Sequence, residues 1–276
     1  MNRNVRFPVM AVATLSLLVL VTGCQRLKAR DQLNKGVQAY KNAKYEEAID
    51  HFQQAVSLDP TLLNARLYLA TAFAQQYIPG VENADNTKFA DQAIDQYKEV
   101  LQRDPKSVNS VKGIAYLYLQ MKKFDKAKEY YRKATGLDPN DPEPYYSVAV
   151  IDWTQTYQPR MEERAKLGLK PDQPLNQKEK DQKKVCAELK EKNAANIQEG
   201  IDNLKKALEL RPDYDDAMAY MNLMYRERAD VECDDLAART ADLKTADDWV
   251  DKTMATKKAK AEKQPGATGI TMDQSK

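Results

Sequence analysis

The amino-acid sequence predicts an all-α fold, a solenoid built from repeated pairs of helices. The composition is the first reason: the 276 residues are 42% hydrophobic and 30% charged, with only 9 Gly and 12 Pro. Such a chain can bury a core, so collagenous, low-complexity and multi-span membrane proteins are excluded. The second reason is a spacing of apolar residues that recurs along the chain. The third is a proline that closes each copy of that spacing.

The recurring pattern places a small, a large and a second, mostly small apolar residue four and three positions apart, with the proline five positions later. The sets are Ala48, Phe52, Ala55, Pro60; Ala93, Tyr97, Val100, Pro105; Ala127, Tyr131, Ala134, Pro139; and Gly200, Leu204, Ala207, Pro212. Steps of four and three residues put these side chains on one helical stripe, and the proline stops the helix. Each set therefore predicts the second helix of a pair.

Small residues also recur ten positions after these prolines, where a first helix would lie. They are Ala70, Ala115 and Ala149, with Asn222 in the last unit and Gly36 in the opening one. This pattern resembles the tetratricopeptide repeat, a 34-residue helix-turn-helix in which small residues let two helices pack closely. Pro105 and Pro139 are 34 residues apart. The resemblance covers about residues 29–260 and implies a solenoid of about five repeats.

Longer proline spacings predict insertions between the helices of two units. Pro60 to Pro105 is 45 residues and Pro139 to Pro212 is 73, which places the insertions near 78–88 and 158–196. The repeats span 31–212, and a degenerate repeat follows at 213–263. Its second helix is polar and lacks the final proline, as expected of a capping repeat. Residues 264–276 are predicted to be a flexible tail.

Residues 1–23 have the pattern of a signal peptide, with a cationic start and an apolar run from Val9 to Val21. The alternative is a membrane-spanning anchor, but the run is shorter than the roughly 20 residues that a spanning helix needs. Val21, Thr22, Gly23 and Cys24 resemble the bacterial lipobox. That resemblance implies cleavage before Cys24 and a covalent lipid on its sulfur. No other cofactor is predicted.

Two or three acyl chains would anchor the protein stably. Residues 24–30 would form a short tether, and Gln25 in place of Asp favours the periplasmic face of the outer membrane. The order of the segments YIPG, PRMEERAKLG and YDDAMAYMNLMYRERAD is similar to that in a group of tetratricopeptide lipoproteins of undefined function from soil bacteria.

Charge and residue types exclude several activities. Lys and Arg number 43 against 41 Asp and Glu, and removal of Arg3 and Arg6 with the signal would balance them, which argues against nucleic acid as a partner. The chain has a single histidine, His51, and lacks the GxSxG, HExxH, CxxC and phosphate-loop motifs. The protein is therefore predicted to be neither an enzyme nor a metal protein. His51 is interpreted as a surface residue.

Cys186 and Cys233 fall in the inter-helix turns of neighbouring repeats. Our hypothesis is a disulfide that pins the long insertion onto the capping repeat, and the alternative is two unpaired thiols. The charges of these segments are complementary. Residues 160–192 hold ten bases and seven acids, whereas residues 213–251 hold twelve acids and four bases.

The resemblance implies that the first helices line a concave face that holds a segment of another protein. On that face we expect Tyr40, Lys41, Lys112, Tyr116, Tyr146, Val150 and Trp153, together with Leu67, Thr71 and Arg226. Tyr and Trp are common anchors of protein interfaces. The alternative is that the aromatic residues form core between the repeats. The paired Lys and Asn residues with which some repeats grip a C-terminal carboxylate are not evident.

The predicted function is that of a non-catalytic, membrane-anchored adaptor or assembly factor in the bacterial cell envelope. Its partner would be another envelope protein or a peptide segment. The alternative is a structural protein that forms homo-oligomers through its terminal repeats and has no ligand in a groove. Binding of a glycan or a lipid to the aromatic face is a third class without a specific motif.

Overall fold

The structure is a computed structural model that describes residues 6–170 and 173–263, with side chains from residue 24 onward. In this part of the chain the secondary structure consists of ten α-helices and no strand. The helices are α1 (Arg6–Lys41), α2 (Tyr45–Leu58), α3 (Leu63–Gln76), α4 (Ala84–Arg103), α5 (Val108–Gln120), α6 (Phe124–Leu137), α7 (Pro142–Lys166), α8 (Lys180–Leu210), α9 (Asp215–Val231) and α10 (Leu236–Glu262). The predicted tail at 264–276 and the side chains of the predicted signal peptide and of Val21, Thr22 and Gly23 lie outside the described residues.

The helices follow the predicted order of five pairs, which confirms the repeated helix-turn-helix fold. The spaced apolar sets lie on α2, α4, α6 and α8, which are the second helices of their pairs. The chain divides into two compact units, of which the first ends at Tyr130 and the second begins at Tyr131, within α6.

In the first unit the repeat pattern works through close contact between a small residue and a ring. Phe52 on α2 is fully buried, and a Cβ atom added to Gly36 on α1 would lie 2.5 Å from its ring. Gly113 on α5 has the same relation to Tyr97 on α4, again at 2.5 Å. Such separations are shorter than van der Waals contact, so these two positions require glycine for the helices to approach this closely.

In the second unit, α7, α8 and α9 enclose a core of aliphatic and methionine side chains. Ile201 and Leu204 on α8 pack with Met221 and Met224 on α9, and all four are buried. Gly200 lets Met224 approach, since an added Cβ atom would lie 2.4 Å from the methionine methyl. The last helix, α10, packs against α9.

The short insertion is smaller than predicted because Ala84–Lys88 are helical and belong to α4, which leaves residues 77–83 as the loop. Asn83 caps α4 by accepting a hydrogen bond from the Asn86 backbone N–H at 2.8 Å. The buried Asn86 side chain accepts from the Ile78 N–H and donates to the carbonyls of Ile78 and Val81. These bonds fold the loop onto the helix start.

The long insertion extends both helices of its pair. α7 continues through Pro159 to Lys166, and α8 begins at Lys180. The described residues between them, 167–170 and 173–179, are not helical. The turn of the fifth unit is likewise shorter than predicted, since residues 236–240 are helical and only 232–235 connect α9 to α10.

The expectation of a short tether at 24–30 is corrected, because these residues are helical and continue into the rest of α1. Ala29 is completely buried, so this segment already belongs to the packed first helix. Cys24 is exposed and is not part of a disulfide. Over the described residues, no helix has the length and apolar character needed to cross a membrane.

Candidate protein-interaction surfaces

In the first unit, the first helices α1, α3 and α5 lie side by side and carry the predicted groove residues. Tyr40 on α1 is half-buried and hydrogen-bonds to the Gln75 side chain on α3. Burial, with the nearby Tyr45 ring adding to it, raises the pKa of Tyr40. Lys41 is exposed at the end of α1. Tyr40 therefore links α1 to α3, and the exposed Lys41 follows it at the end of α1.

The most accessible predicted aromatic residue lies on α5. Tyr116 is 49% exposed, and Lys112, one turn earlier on the same helix, is half-buried. On the neighbouring α3, Leu67 and Thr71 are half-buried, and the Thr71 hydroxyl lies 3.2 Å from that of Tyr97. Leu67 and Thr71 are thus partly accessible on α3, the helix that neighbours the one carrying the exposed Tyr116.

In the second unit, the predicted aromatic residues form part of a larger cluster that we call the aromatic patch. It consists of Tyr146, Trp153 and Tyr157 on α7, Tyr214 immediately before α9, and Tyr220 on α9. Ring centroids of successive pairs are 5.0 Å apart for Tyr146–Tyr214, 5.5 Å for Tyr146–Tyr220 and 5.6 Å for Trp153–Tyr220. Trp153 and Tyr157 are stacked at 4.7 Å.

The aromatic patch is both core and surface. Tyr146, Trp153 and Tyr220 pack on the buried aliphatic core of the second unit, yet each retains partial exposure. Val150 is half-buried on α7, one turn from Tyr146. These rings therefore contribute to the core of the second unit and keep part of their surface accessible.

The hydroxyl groups of Tyr146, Tyr214 and Tyr220 stay neutral because their pKa values are raised. Burial raises the pKa values of Tyr146 and Tyr220, and Asp216 adds to the increase in both. Burial raises the pKa of Tyr214 to about 12, against the opposing effect of Arg211, whose guanidinium lies 4.5 Å from the ring centre. Neutral phenols both donate and accept hydrogen bonds, which suits contact with a polypeptide backbone.

Three members of the patch, Tyr157, Tyr214 and Tyr220, were missed at the level of sequence. Tyr157 follows Trp153 by four residues, so helical spacing alone could have found it. Tyr214 and Tyr220 lie outside the positions that the repeat pattern assigns to the concave face. Their participation depends on how α9 packs against α7.

The other predicted residue of the second unit, Arg226, lies on α9 and forms an ion pair with Asp247 on α10 at 2.6 Å. Both side chains are largely exposed. This ion pair joins α9 to α10 and is not one of the contacts that hold the aromatic patch together.

In the second unit, Cys186 on α8 and Cys233 in the α9–α10 turn form a disulfide with an S–S distance of 2.07 Å. It joins the long insertion to the capping repeat, as hypothesised. Two ion pairs accompany it, Lys183–Asp234 at 3.7 Å and Lys190–Glu232 at 3.4 Å. The complementary charges seen in the sequence thus face each other across this junction.

A buried network of charges, which the sequence did not reveal, lies beside the disulfide. Arg160 on α7 forms ion pairs with Asp230 and with Glu227, the latter at 3.0 Å, and both acids lie on α9. Arg164 and Arg239 also lie near Asp230, at 3.4 and 3.8 Å. The Cys186 sulfur lies 3.7 Å from the Asp230 carbonyl oxygen. The network therefore connects the extension of α7 to both helices of the cap.

Burial raises the pKa of Glu227 to about 7, although Arg160 opposes the increase. Because the folded state then binds more protons than the unfolded state between about pH 4.5 and 7, this group favours folding at low pH, and its contribution is lost as the pH rises through 7. We expect the free energy of unfolding of the second unit to fall by roughly 1–3 kcal/mol between pH 5 and 8 on this account.

Urea titrations followed by tryptophan fluorescence measure this change, since both tryptophans, Trp153 and Trp249, lie in the second unit. Glu227→Gln should flatten the pH dependence. An unchanged slope in that variant would reject the assignment.

His51 is half-buried, and its Nδ1 lies 2.7 Å from the Gln32 side-chain oxygen on α1. It therefore keeps partial exposure and has a hydrogen-bonding partner within the first repeat. Among the described residues, no group of three or more His, Cys, Asp or Glu side chains is arranged to hold a metal ion.

Comparison with known proteins agrees with this architecture. Family models described as tetratricopeptide repeat match residues 29–62 and 90–151. A crystal structure of MamA superposes with a TM-score of 0.55 at 12% identity, over 88% of this chain and 98% of that chain. MamA from Desulfovibrio magneticus RS-1, from residue 41 to its end, gives a TM-score of 0.54 at 15% identity, over 84% and 96% of the two chains.

Identities this low show a shared fold and nothing further. No curated protein matches the sequence. The chain thus contains tetratricopeptide repeats, and its fold is the solenoid that such repeats build. Solenoids of this kind use extended surfaces for binding other molecules, and the tetratricopeptide repeat is typically a protein-interaction scaffold.

Proposed function

We propose that the protein is a non-catalytic adaptor or assembly factor of the bacterial cell envelope, anchored by a lipid on Cys24. Its first helices hold a segment of another envelope protein. The observation that carries the binding role is the set of accessible aromatic side chains on first helices: Tyr116 on α5, and the aromatic patch on α7 and α9. Rigid aromatic rings give a large contact area for little loss of side-chain entropy.

The chemistry of both surfaces suits a peptide better than a small molecule. The rings of the aromatic patch are only partly exposed, and the hydroxyls of Tyr146, Tyr214 and Tyr220 are neutral, so the surface offers apolar contact with scattered hydrogen-bonding groups. In the first unit, Lys112 lies one turn from Tyr116, which places a cation beside the exposed ring. An extended or helical segment with an apolar residue fits the exposed ring.

The anchor is supported by Val21, Thr22, Gly23 and Cys24 and by the exposure of Cys24 on α1. Because the helix continues from Cys24 into the first repeat, the repeats lie directly beside the lipid attachment point. The protein thereby presents its surfaces at the membrane, on the periplasmic side of the outer membrane.

Fractionation of cells that express the full chain tests the anchor. We expect the wild-type protein in the membrane fraction with covalently incorporated fatty acid. The variant Cys24→Ser should lose the label and leave the membrane fraction or remain uncleaved. Incorporation of label into Cys24→Ser would exclude this cysteine as the lipidated residue. The binding surface is tested separately, by cross-linking from Tyr116 in living cells.

A further inference from the structure

The last helix, α10, carries an apolar stripe that is exposed in the described part of the chain. Val250 is 38% exposed and Met254 is 65% exposed, although both are large apolar residues on a helix that packs well on its other side. Leu243, two turns before Val250, is half-buried. Beside this stripe, Ala246 and Thr253 are buried on the face of α10 that turns toward the rest of the second unit, and α10 as a whole packs against α9.

The repeat register explains why this stripe exists. On α8, the second helix of the preceding pair, Ile197, Ile201 and Leu204 are buried in the core that α8 shares with α9. Their equivalents 46 residues later on α10 are Leu243, Asp247 and Val250. Within the residues that the structure describes, no helix follows α10. Hence the face of α10 that corresponds to the α9-contacting face of α8 has no helix packed on it among the described residues.

The stripe continues along α10 with the spacing of a coiled-coil seam. Its members, four and three residues apart in turn, are Leu243, Asp247, Val250, Met254, Lys257 and Ala261. We call this set the α10 seam. It spans 19 residues, or about 27 Å at the rise of an α-helix. Apolar residues at such steps pack against a second helix, and charged members select its direction.

The α10 seam is complementary to itself when reversed. In an antiparallel pair of α10 helices centred between Val250 and Met254, Val250 faces Met254 of the second copy and Asp247 faces Lys257 of the second copy. Leu243 then faces the small Ala261. A parallel pair would instead oppose Asp247 to Asp247 and Lys257 to Lys257, and such like-charge contacts are unfavourable.

From this complementarity we infer that α10 is a homodimerisation helix, on which a second copy of the chain packs antiparallel along the α10 seam. The arrangement has two-fold symmetry, so each contact occurs twice. A seam of this length buries less surface than a large obligate interface, and it predicts a dimer with a dissociation constant on the order of micromolar. Asp247 also pairs with Arg226 of its own chain, and that exposed pair can be kept or exchanged at little cost.

This inference is independent of the proposed adaptor role, since the seam lies on a second helix and the partner-binding residues lie on first helices. A dimer would present two sets of first-helix surfaces in one assembly. Failure of dimerisation would leave the proposed function untouched, and the reverse also holds.

Cysteine cross-linking in cells tests the geometry. Full chains with different epitope tags carry Val250→Cys in one copy and Met254→Cys in the other, and a mild oxidant is added. Facing positions in the antiparallel pair come within disulfide range, whereas two Val250→Cys copies are offset by about 6 Å along the axis. We expect the mixed pair to form at least about tenfold more covalent dimer than either variant with itself. Ala255→Cys, exposed on the other side of α10, should form none.

A charge exchange tests the contacts. Lys257→Asp places two acids opposite each other twice per dimer and should weaken association about tenfold, and adding Asp247→Lys should restore it. Thermal unfolding of each variant checks that the fold is retained. A chain that stays monomeric up to several hundred micromolar would overturn the inference. So would a strong Val250→Cys self-adduct or an unaltered dimer in Lys257→Asp. The monomeric outcome includes the case in which the chain's own C-terminal residues cover the α10 seam.

Discussion

Replacing Asp230 with alanine is expected to destabilise the second unit by about 3–5 kcal/mol. Asp230 is the shared acid of the buried charge network, with Arg160, Arg164 and Arg239 arranged around its carboxylate. Arg160 and Arg164 are almost completely buried, so removal of the acid leaves the charge of Arg164 without its acidic partner and leaves Arg160 with Glu227 alone.

Urea unfolding followed by tryptophan fluorescence measures the loss. The matched control is Asp234→Ala, four residues later in the α9–α10 turn. Asp234 pairs with Lys183, but both side chains are exposed, so this change should alter the stability by less than about 0.5 kcal/mol. If Asp230→Ala cost no more than the control, the network would not be a structural element of the cap.

Breaking the Cys186–Cys233 disulfide is expected to cost the second unit about 2–4 kcal/mol. The bridge closes a loop with a sequence separation of 47, and the entropy of that loop in the unfolded chain sets the upper figure. The ion pairs Lys183–Asp234 and Lys190–Glu232 remain after reduction, but exposed pairs add little. The insertion would therefore be held mainly by the charge network and the core.

The measurement compares urea midpoints with and without reductant. The double variant Cys186→Ser with Cys233→Ser should show the lower stability and no response to reductant. Thiol counting on unreduced, unfolded Cys24→Ser protein supplies an independent check. Two reactive thiols in that assay, or equal midpoints in both conditions, would contradict the bridge.

Much of the fold could be predicted from spacing because each repeat satisfies the same packing problem. Phe52 and Tyr97 fill the gap beside Gly36 and Gly113, and this need for a small residue opposite a large one leaves a readable pattern. The disulfide could be placed because repeats fix where their turns emerge. Residues that carry the repeat pattern were therefore assigned correctly to helices.

The remaining features depend on contacts without a periodic signal. Arg160 and Arg164 lie in an insertion, where the repeat register gives no information about direction, so their burial against α9 was not foreseen. Tyr220 joins the aromatic patch because α9 packs beside α7, a relation that sequence spacing does not specify. The helical state of 24–30 could not be predicted from the repeat spacing, because these residues precede the first spaced set, although Ala29 is buried in the structure.

The central claim is that first-helix surfaces hold a segment of another envelope protein. The most direct test is photo-cross-linking in living cells, with the probe in place of Tyr116 in the first unit or Val150 in the second. Val150 is preferred to Trp153, whose ring stacks on Tyr157 and would be lost from the aromatic patch. Lys126, exposed on the second helix α6, is the control position.

We expect the same envelope protein to be captured from Tyr116 or Val150 and not from Lys126. The adducts formed from Val150 should be lost when Tyr146, an aromatic residue of the same surface, is replaced with alanine. Equal capture from Lys126, or adducts that contain only a second copy of the chain, would contradict the claim and would leave self-association through α10 as the activity of the solenoid.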